Sequence, residues 1–235
     1  GFWQTKTEVE LLPEAIKQIA KTKGINLPPL VAIAGPVKAS ECASAKPTAT
    51  VFACRDYELA KRYAKTVTTP NYSVTPSQDE IGVEVCAALK NIYAIALGIA
   101  DGMSAADEQP RDNLRAAIFV QAVAEMASLC HALGGDLQTA YGLAGMGDLQ
   151  LTSTAGRSRL YGHAVGAGQN PRQALEQMQS QGLTIEGSPA ALIAHQLVQQ
   201  LGLNAPLLEA VYQMLHGHVD DARALICAVA LGVDA

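Results

Sequence analysis

The first third of the chain alternates between short blocks of helical and β-type patterning. Apolar residues at helical spacing between residues 7 and 24 predict a helix that ends at Gly24. Three runs rich in apolar and β-forming residues predict buried strands, at residues 28–36, 46–54 and 71–79. An amphipathic helix is predicted between the second and third runs, at residues 55–67. Residues 1–78 are therefore predicted to form an α/β segment.

The pattern changes from residue 81 onward, where apolar positions recur at helical spacing over long stretches. Strand signals nearly vanish there, and no internal repeat or low-complexity tail is evident. The predicted helices are 81–100, 112–133, 135–141, 157–166, 171–181, 187–201, 205–216 and 219–231. Residues 79–235 are therefore predicted to form an all-helical domain.

The composition is that of a well-buried globular protein. Apolar residues make up 49% of the 235 residues, charged residues 17% and aromatic residues 5%. Such a core consists of small aliphatic side chains, which suit closely packed helices. The net charge of −5 and the lack of a basic cluster argue against a nucleic-acid surface. A small anionic ligand is compatible with this charge, because a few local cations suffice to bind it.

The cellular setting is predicted from the cysteines and from the longest apolar run. Five widely spaced cysteines without a CxxC pair favour free thiols in a reducing compartment, and no signal peptide opens the sequence. The apolar run at residues 82–102 contains Glu84 and Lys90 and is interrupted by Gly98. A core helix fits this run better than a membrane span. We expect a cytoplasmic protein that does not insert into a membrane.

Lys90 and Asn91 stand in the middle of that apolar run. A lysine there can extend its charged end to water along its aliphatic stem, which would be a purely structural arrangement. Alternatively, Lys90 acts as a proton donor or acceptor, because an apolar wall disfavours the charged ammonium form. Asn91 can offer a donor and an acceptor to a ligand, or cap a backbone group.

The glycine-rich segment at residues 142–159 carries three further polar candidates. Its glycines make the backbone permissive just before Asp148, and on a helical turn Asp148 and Thr152 would share a face. A carboxylate, a hydroxyl and the guanidinium of Arg157 converging there would suit one lysine partner and one phosphate or carboxylate ligand. The alternative is a glycine-rich loop with solvated polar residues.

Two other features of the sequence give weaker indications of a ligand site. The pair Gly35-Pro36 follows a predicted strand and is either a plain turn or a loop that faces a cofactor, since ligands of open α/β sheets bind at the carboxyl ends of strands. His216 and His218 hint at a metal, but no third ligand is evident in the sequence. We therefore favour a surface or helix-end role for these histidines and expect no metal site.

Taken together, these segments resemble the NAD(P)-dependent glycerol-3-phosphate dehydrogenases. Five segments match that family's motifs in the family's order and extend over nearly the whole chain: GPVKASE…KPTATVFAC, GVEVCAALKNIYAIALGIADG, DNLRAAIFVQAVAEM, GLAGMGDLQLTSTAGRSR and IEGSPA. The resemblance implies that residues 1–78 are the C-terminal half of a dinucleotide-binding domain, an α/β remnant of Rossmann type. Residues 79–235 would be an all-α domain similar to the C-terminal domain of 6-phosphogluconate dehydrogenase.

The resemblance also implies a reaction and a role for each matching residue. NAD or NADP would exchange a hydride with dihydroxyacetone phosphate, the small phosphorylated substrate, and yield sn-glycerol 3-phosphate for glycerophospholipid synthesis. Lys90 would be the proton donor and acceptor, held and polarised by Asp148, and Thr152 would line the substrate site. The remaining implied roles are phosphate binding or a bridge to the cofactor for Asn91 and Arg157, substrate binding for Ser158, and cofactor contacts for Ala39, Arg157 and Glu186.

Three departures from the family pattern set this sequence apart. The glycine-rich fingerprint that places a pyrophosphate at a helix N-terminus is absent, and Gly1 matches the glycine of a Lys-Gly pair whose lysine is missing. Ser158 stands where the family has asparagine. Gln121 stands where the family usually has arginine.

These departures leave several interpretations open. We expect a fragment of a longer protein that is inactive alone and binds NAD weakly or not at all, and a split protein completed by a partner would look the same. Ser158 and Gln121 leave room for a related dehydrogenase with another small phosphorylated or carboxylated substrate. A non-catalytic assembly or binding protein that keeps the fold is a third alternative, although packing alone does not require Lys90, Asp148 or Arg157. The alanine-rich helices suggest a homodimer.

Overall fold

The structure, a computed structural model, describes residues 1–5, 9–217, 219 and 221–233. The described residues group into two compact units. Unit 1 comprises Gly1–Ala88 and Met126–Asp148, and unit 2 comprises Leu89–Glu125 and Leu149–Ala235. The two compact units have other limits than the predicted domain boundary between residues 78 and 79. That boundary stays a prediction.

Unit 1 contains all the β-structure of the described residues. A two-stranded antiparallel sheet pairs β1 with β2, and a three-stranded sheet has the order β3-β4-β5. The strands are β1 Phe2–Gln4, β2 Val9–Leu11, β3 Ala32–Ala34, β4 Thr48–Ala53 and β5 Tyr72–Ser77. The helices between them are α1 Leu12–Thr22, α2 Ala39–Ala43 and α3 Tyr57–Val67. The α/β character predicted for this part of the chain is confirmed.

The three-stranded sheet is mixed, whereas a remnant of a parallel sheet was expected. Strand β4 runs parallel to β5, and α3 provides the crossover between them. Asp56 begins α3, since its carboxylate accepts a hydrogen bond from the backbone N–H of Leu59 at 3.1 Å. Strand β3 runs antiparallel to β4, with Ala34 opposite Val51. The carboxyl end of β3 therefore lies at the edge of the sheet where β4 begins.

The sequence patterns missed three short features of unit 1. The pattern at residues 7–24 predicted one helix, but α1 begins at Leu12 and β2 occupies Val9–Leu11. Residues 6–8 lie outside the described part of the chain. Strands β1 and β2 have three residues each, and α2 has five, which is too short for a periodic pattern to be visible.

Helices α4 and α5 run through both units, and the remaining helices follow them along the chain. The bounds are α4 Glu80–Asp107, α5 Asp112–Ala132, α6 Leu137–Tyr141, α7 Asp148–Ala155, α8 Arg157–Gly166, α9 Pro171–Ser180, α10 Gly187–Leu201, α11 Pro206–Leu215 and α12 Ala222–Leu231. Seven of the eight predicted helices are confirmed to within a few residues at each end. The first was predicted to end at residue 100, but α4 continues to Asp107 because Gly98 and Gly102 do not interrupt it.

The glycine-rich segment forms a π-helical turn followed by a helix that carries Asp148 and Thr152. A π-helical turn spans Leu143–Gly147, and α7 begins directly after it. The three glycines had favoured a loop, but Gly145 packs so closely against Ala140 that a side chain would overlap with the Ala140 backbone. Glycine at this position therefore reflects tight packing as well as backbone freedom.

Within unit 2, α4 and α8 approach each other through glycines on both helices. A methyl group on Gly98 would overlap with the carbonyl oxygen of Arg159, and one on Gly102 with that of His163. Likewise, a methyl group added to Gly162 on α8 would overlap with the carbonyl oxygen of Ile95 on α4. The two backbones are in direct contact, a spacing that only residues without a Cβ allow.

A buried carboxylate connects α5 to the beginning of α11 in unit 2. Glu125 is only 3% exposed, and its two oxygens accept hydrogen bonds from Leu207 N at 2.7 Å and Leu208 N at 3.0 Å. Tyr93 Oη at 3.1 Å and Gln121 Nε2 at 2.9 Å donate to the same carboxylate. Glu125 thus satisfies backbone N–H groups of the first turn of α11, which have no partner within their own helix.

Replacing Gly162 by alanine should destabilise the protein. The added methyl group meets a backbone carbonyl of α4, which cannot rotate away as a side chain could, so we expect a loss of about 2–3 kcal/mol in the free energy of unfolding. Urea denaturation measures this loss. Gly142→Ala is the matched control, because Gly142 has φ −94° and its nearest contact for a methyl group is 3.5 Å away. Equal stability of the two variants would contradict the backbone contact.

The stability contribution of Glu125 should depend on pH. Burial raises the pKa of this carboxyl group above 4.5, and the four hydrogen bonds oppose the shift without cancelling it. A carboxyl group whose pKa is raised by folding stabilises the protein below the pKa of the unfolded chain, and this stabilisation is lost as the pH rises through the folded pKa. The stability advantage of the protein over Glu125→Gln should therefore decrease as the pH rises above about 4.5.

Urea denaturation at several pH values tests the Glu125 prediction. Glu176→Gln is the control, since Glu176 is an exposed partner of Arg172 on the surface, and its effect should stay nearly constant. A difference for Glu125→Gln that widens with rising pH would show that the hydrogen bonds outweigh burial.

Candidate functional site

Lys90 lies within the apolar run of α4, at the border between the buried and the solvent-facing sides of the helix. Its side chain is partly buried, whereas Leu89 and Ile92 beside it are fully buried. The position therefore combines an apolar wall with access to solvent, as a proton donor to a bound ligand requires. Lys90 and Asn91 are neighbours in sequence, so the two side chains leave the helix in different directions.

Four polar side chains of unit 2 form a connected group, which we call the polar cluster: Asn91, Arg157, Ser158 and Glu186. Glu186 is at its centre. One carboxylate oxygen accepts a hydrogen bond from Arg157 Nη2 at 2.9 Å, and the other accepts from Asn91 Nδ2 at 3.0 Å. The members come from α4, from the first turn of α8 and from the residue before α10. All four residues had been selected from the sequence as candidates for substrate or cofactor contacts.

Ser158 has the most buried side chain of the polar cluster, at 1% exposure. Its hydroxyl accepts a hydrogen bond from Gly187 N at 3.3 Å and donates one to Asn91 Oδ1 at 3.5 Å. A methyl group on Gly187 would lie 2.5 Å from the carbonyl oxygen of Asn91. Ser158 and Gly187 together hold the beginning of α10 against α4, so the hydroxyl positions its neighbours. Its predicted contact with substrate stays a prediction.

Asp148 and Thr152 occupy successive turns of α7, as the helical interpretation of the glycine-rich segment predicted. Asp148 is 3% exposed, and its Oδ2 accepts a hydrogen bond from Gly35 N at 3.2 Å within unit 1. Thr152 is partly buried and belongs to unit 2. The predicted partnership of Asp148 with Lys90 stays a prediction, because the two residues belong to different units.

The Gly35-Pro36 segment, for which a plain turn and a cofactor-facing loop were both left open, has a packing role at Gly35. Gly35 has φ +148°, and a methyl group there would lie 2.9 Å from the Cα atom of Thr50. Because β3 is antiparallel to β4, Gly35 lies away from the carboxyl ends of β4 and β5, where ligands of parallel sheets bind. Ala39 follows as the exposed first residue of α2. Its contact with a dinucleotide stays a prediction.

Two histidines of unit 2, His195 and His216, take part in aromatic contacts. The ring of His195 stacks on Tyr212 with ring centres 3.7 Å apart, and His195 Nδ1 lies 2.7 Å from Glu209 Oε2. His216 also contacts Tyr212, with its ring centre 4.6 Å from that of the tyrosine. His218, the second histidine of the suspected metal pair, lies outside the described residues.

The sequence did not reveal that Glu186 joins Asn91 to Arg157. The three residues were chosen individually, and Glu186 was assigned only to the cofactor. Asn91 and Glu186 are separated by 95 residues, and no local periodicity relates positions so far apart. The one usable signal was the Glu-Gly pair at the start of a predicted helix, because glycine there allows close backbone approach.

Comparisons with known proteins agree with one another on the family. Residues 79–225, more than half of the chain, match the family described as NAD-dependent glycerol-3-phosphate dehydrogenase C-terminus. A glycerol-3-phosphate dehydrogenase [NAD(P)+] from Symbiobacterium thermophilum is 41% identical over 189 residues, which cover 80% of this chain and 53% of the relative. An NADP(+)-dependent glycerol-3-phosphate dehydrogenase from Archaeoglobus fulgidus is 34% identical over 79% of this chain and 56% of its own length.

Solved structures show the same relationship. The crystal structure of glycerol-3-phosphate dehydrogenase from Coxiella burnetii has a TM-score of 0.79 at 33% identity and covers 91% of this chain and 63% of its own. The Plasmodium falciparum enzyme, at 19% identity and a TM-score of 0.79, shares the fold. The predicted fold class, an α/β segment followed by a mostly helical domain, is confirmed by these neighbours.

The extent of the match limits what is shared with these relatives. The chain spans 53% to 64% of the length of the first three curated relatives, and the family match includes all four members of the polar cluster together with Lys90 and Asp148. The chain belongs to the NAD-dependent glycerol-3-phosphate dehydrogenase family and carries the C-terminal domain that characterises it.

Proposed function

We propose that the protein to which this chain belongs interconverts sn-glycerol 3-phosphate and dihydroxyacetone phosphate with NAD or NADP. The observation that carries this proposal is the polar cluster, which brings Asn91, Arg157 and Glu186 together, with the half-buried Lys90 directly before Asn91 on α4. The cluster lies wholly within the residues that match the family. An arginine and an amide suit a phosphate group, and a lysine at an apolar edge suits proton transfer.

Substrate binding falls to the donors of the cluster. Arg157 is 47% exposed, so its guanidinium can reach the phosphate of a ligand. Asn91 adds an amide from α4, and Thr152 adds a hydroxyl from α7. Ser158 has a positioning role, because its buried hydroxyl orients Asn91 and the first residue of α10.

Proton transfer falls to Lys90. When the carbonyl of dihydroxyacetone phosphate is reduced, its oxygen gains negative charge, and the ammonium group of Lys90 donates a proton to it. In the reverse direction the amine accepts the proton from the hydroxyl of sn-glycerol 3-phosphate. In this proposal Asp148 holds and polarises Lys90. A bound nicotinamide cofactor supplies or receives the hydride.

The residues proposed for the cofactor are accessible to it. Glu186 and Ala39 are both exposed. These two residues and Arg157 would contact the dinucleotide.

The proposal extends to the setting of the protein. It is a cytoplasmic homodimer that forms a precursor of glycerophospholipids, and it binds neither nucleic acid nor the interior of a membrane. The net charge of −5 supports the exclusion of nucleic acid. Helix α4 is long and apolar enough to cross a membrane, but 72% of its apolar window is buried inside the protein, which supports its role as a core helix.

Replacing Lys90 by alanine should abolish most of the activity of the full-length protein. Loss of the proton donor is expected to lower kcat at least about a hundredfold, measured as NADH or NADPH oxidation with dihydroxyacetone phosphate. Lys61→Ala is the control, because Lys61 is an exposed residue of α3 paired with Glu58 of the same helix. Unimpaired turnover of Lys90→Ala would refute the assignment, and an inactive parent protein would refute the proposed reaction.

A further inference from the structure

Glu186 occupies the donors that the proposed function assigns to a phosphate. Each of its two carboxylate oxygens has one of these donors, Arg157 or Asn91, at hydrogen-bonding distance, 2.9 and 3.0 Å respectively. A carboxylate presents its oxygens to a guanidinium and an amide much as a phosphate does. The protein's own side chain therefore stands where the anionic group of a ligand would bind.

We propose that Glu186 is an internal competitor that a phosphate-bearing ligand must displace from Arg157 and Asn91. This inference rests on the proposed function in so far as the ligand is a phosphorylated substrate or cofactor. A phosphate cannot simply join the group, because its negative charge would lie beside the carboxylate in the same set of donors. Binding of the anion and release of Glu186 are therefore coupled in one exchange.

The position of Glu186 allows the exchange to occur by rotation of a side chain. Glu186 is 57% exposed, so its carboxylate can turn into solvent. It precedes α10 but, within the described part of the chain, makes no side-chain hydrogen bond to the N-terminus of that helix. The next residue is fixed, since Gly187 N donates to Ser158 Oγ and the Gly187 backbone packs on Asn91. The carboxylate can therefore leave while the backbone of the cluster stays in place.

The solvent exposure of the Arg157–Glu186 ion pair also determines how much the phosphate affinity should change when the carboxylate is removed. A pair such as Arg157 and Glu186, half in contact with solvent, is weakened by water and salt and is easily exchanged. Removing the carboxylate should strengthen phosphate binding by about threefold to fivefold, as expected for an exposed pair. A larger change would require a buried pair, in which the exchange would be blocked.

The experiment measures the affinity of this chain for inorganic phosphate by NMR titration of the side-chain N–H signals of arginine and asparagine at constant ionic strength. Glu186→Gln should bind phosphate about threefold to fivefold more tightly than the parent chain. Glu176→Gln is the matched control, because it removes the same charge from another exposed arginine–glutamate pair, with Arg172. Its affinity should stay within about 1.5-fold of the parent.

A double variant locates the effect. In Arg157→Gln with Glu186→Gln, the gain in phosphate affinity should disappear, because the freed guanidinium is absent. The proposal is overturned if Glu186→Gln binds phosphate no more tightly than the parent, if Glu176→Gln gains as much, or if the gain survives the loss of Arg157. This readout involves no hydride transfer. If the protein fails to oxidise NADH with dihydroxyacetone phosphate but Glu186→Gln still gains phosphate affinity, the proposed reaction is refuted. The inference that Glu186 competes with phosphate is then still supported.

Discussion

The polar cluster depends on contacts between backbones at which glycine replaces a side chain. Helix α4 meets α8 through Gly98, Gly102 and Gly162, and it meets the beginning of α10 through Gly187. These contacts bring Arg157 and Glu186 to Asn91 although the three residues lie far apart along the chain. A Cβ atom at these positions would separate the helices, and the hydrogen bonds of the cluster, which tolerate only a few tenths of an ångström, would be lost.

Two carboxylates of unit 2 differ in their exposure to solvent, and this difference separates a structural role from a role in ligand binding. Glu125 is buried and surrounded by four donors, two of them backbone N–H groups at the start of α11. Such a group is fixed, because leaving any of these donors without a partner is costly. Glu186 has two side-chain donors and is largely exposed, so exchange for another anion costs little. The first carboxylate holds the fold together, whereas the second is suited to respond to a ligand.

Much of the helical domain could be predicted from the sequence, because its helices are long enough to show their periodicity. Helices α8 and α10 were predicted with the bounds that the structure gives, and the predicted bounds of α5 differ by one residue. The hairpin β1–β2 and the five-residue helix α2 were too short for such patterns. The antiparallel direction of β3 could not be predicted either, because strand direction depends on partners that a local pattern does not identify.

In the candidate site, Lys90 and Arg157 were identified by their chemistry and by resemblance to a family. The hydrogen bonds through Glu186 could not be predicted, because they depend on helix contacts that no sequence spacing encodes.

Phosphate binding by the polar cluster is the assignment on which both proposals depend, and a crystal structure of the full-length protein with sn-glycerol 3-phosphate would examine it without intermediate steps. We expect phosphate oxygens within about 3 Å of Arg157 and Asn91 nitrogens, with the Glu186 carboxylate turned away from both. A phosphate bound elsewhere, with the Arg157–Glu186 and Asn91–Glu186 hydrogen bonds intact, would contradict the assignment.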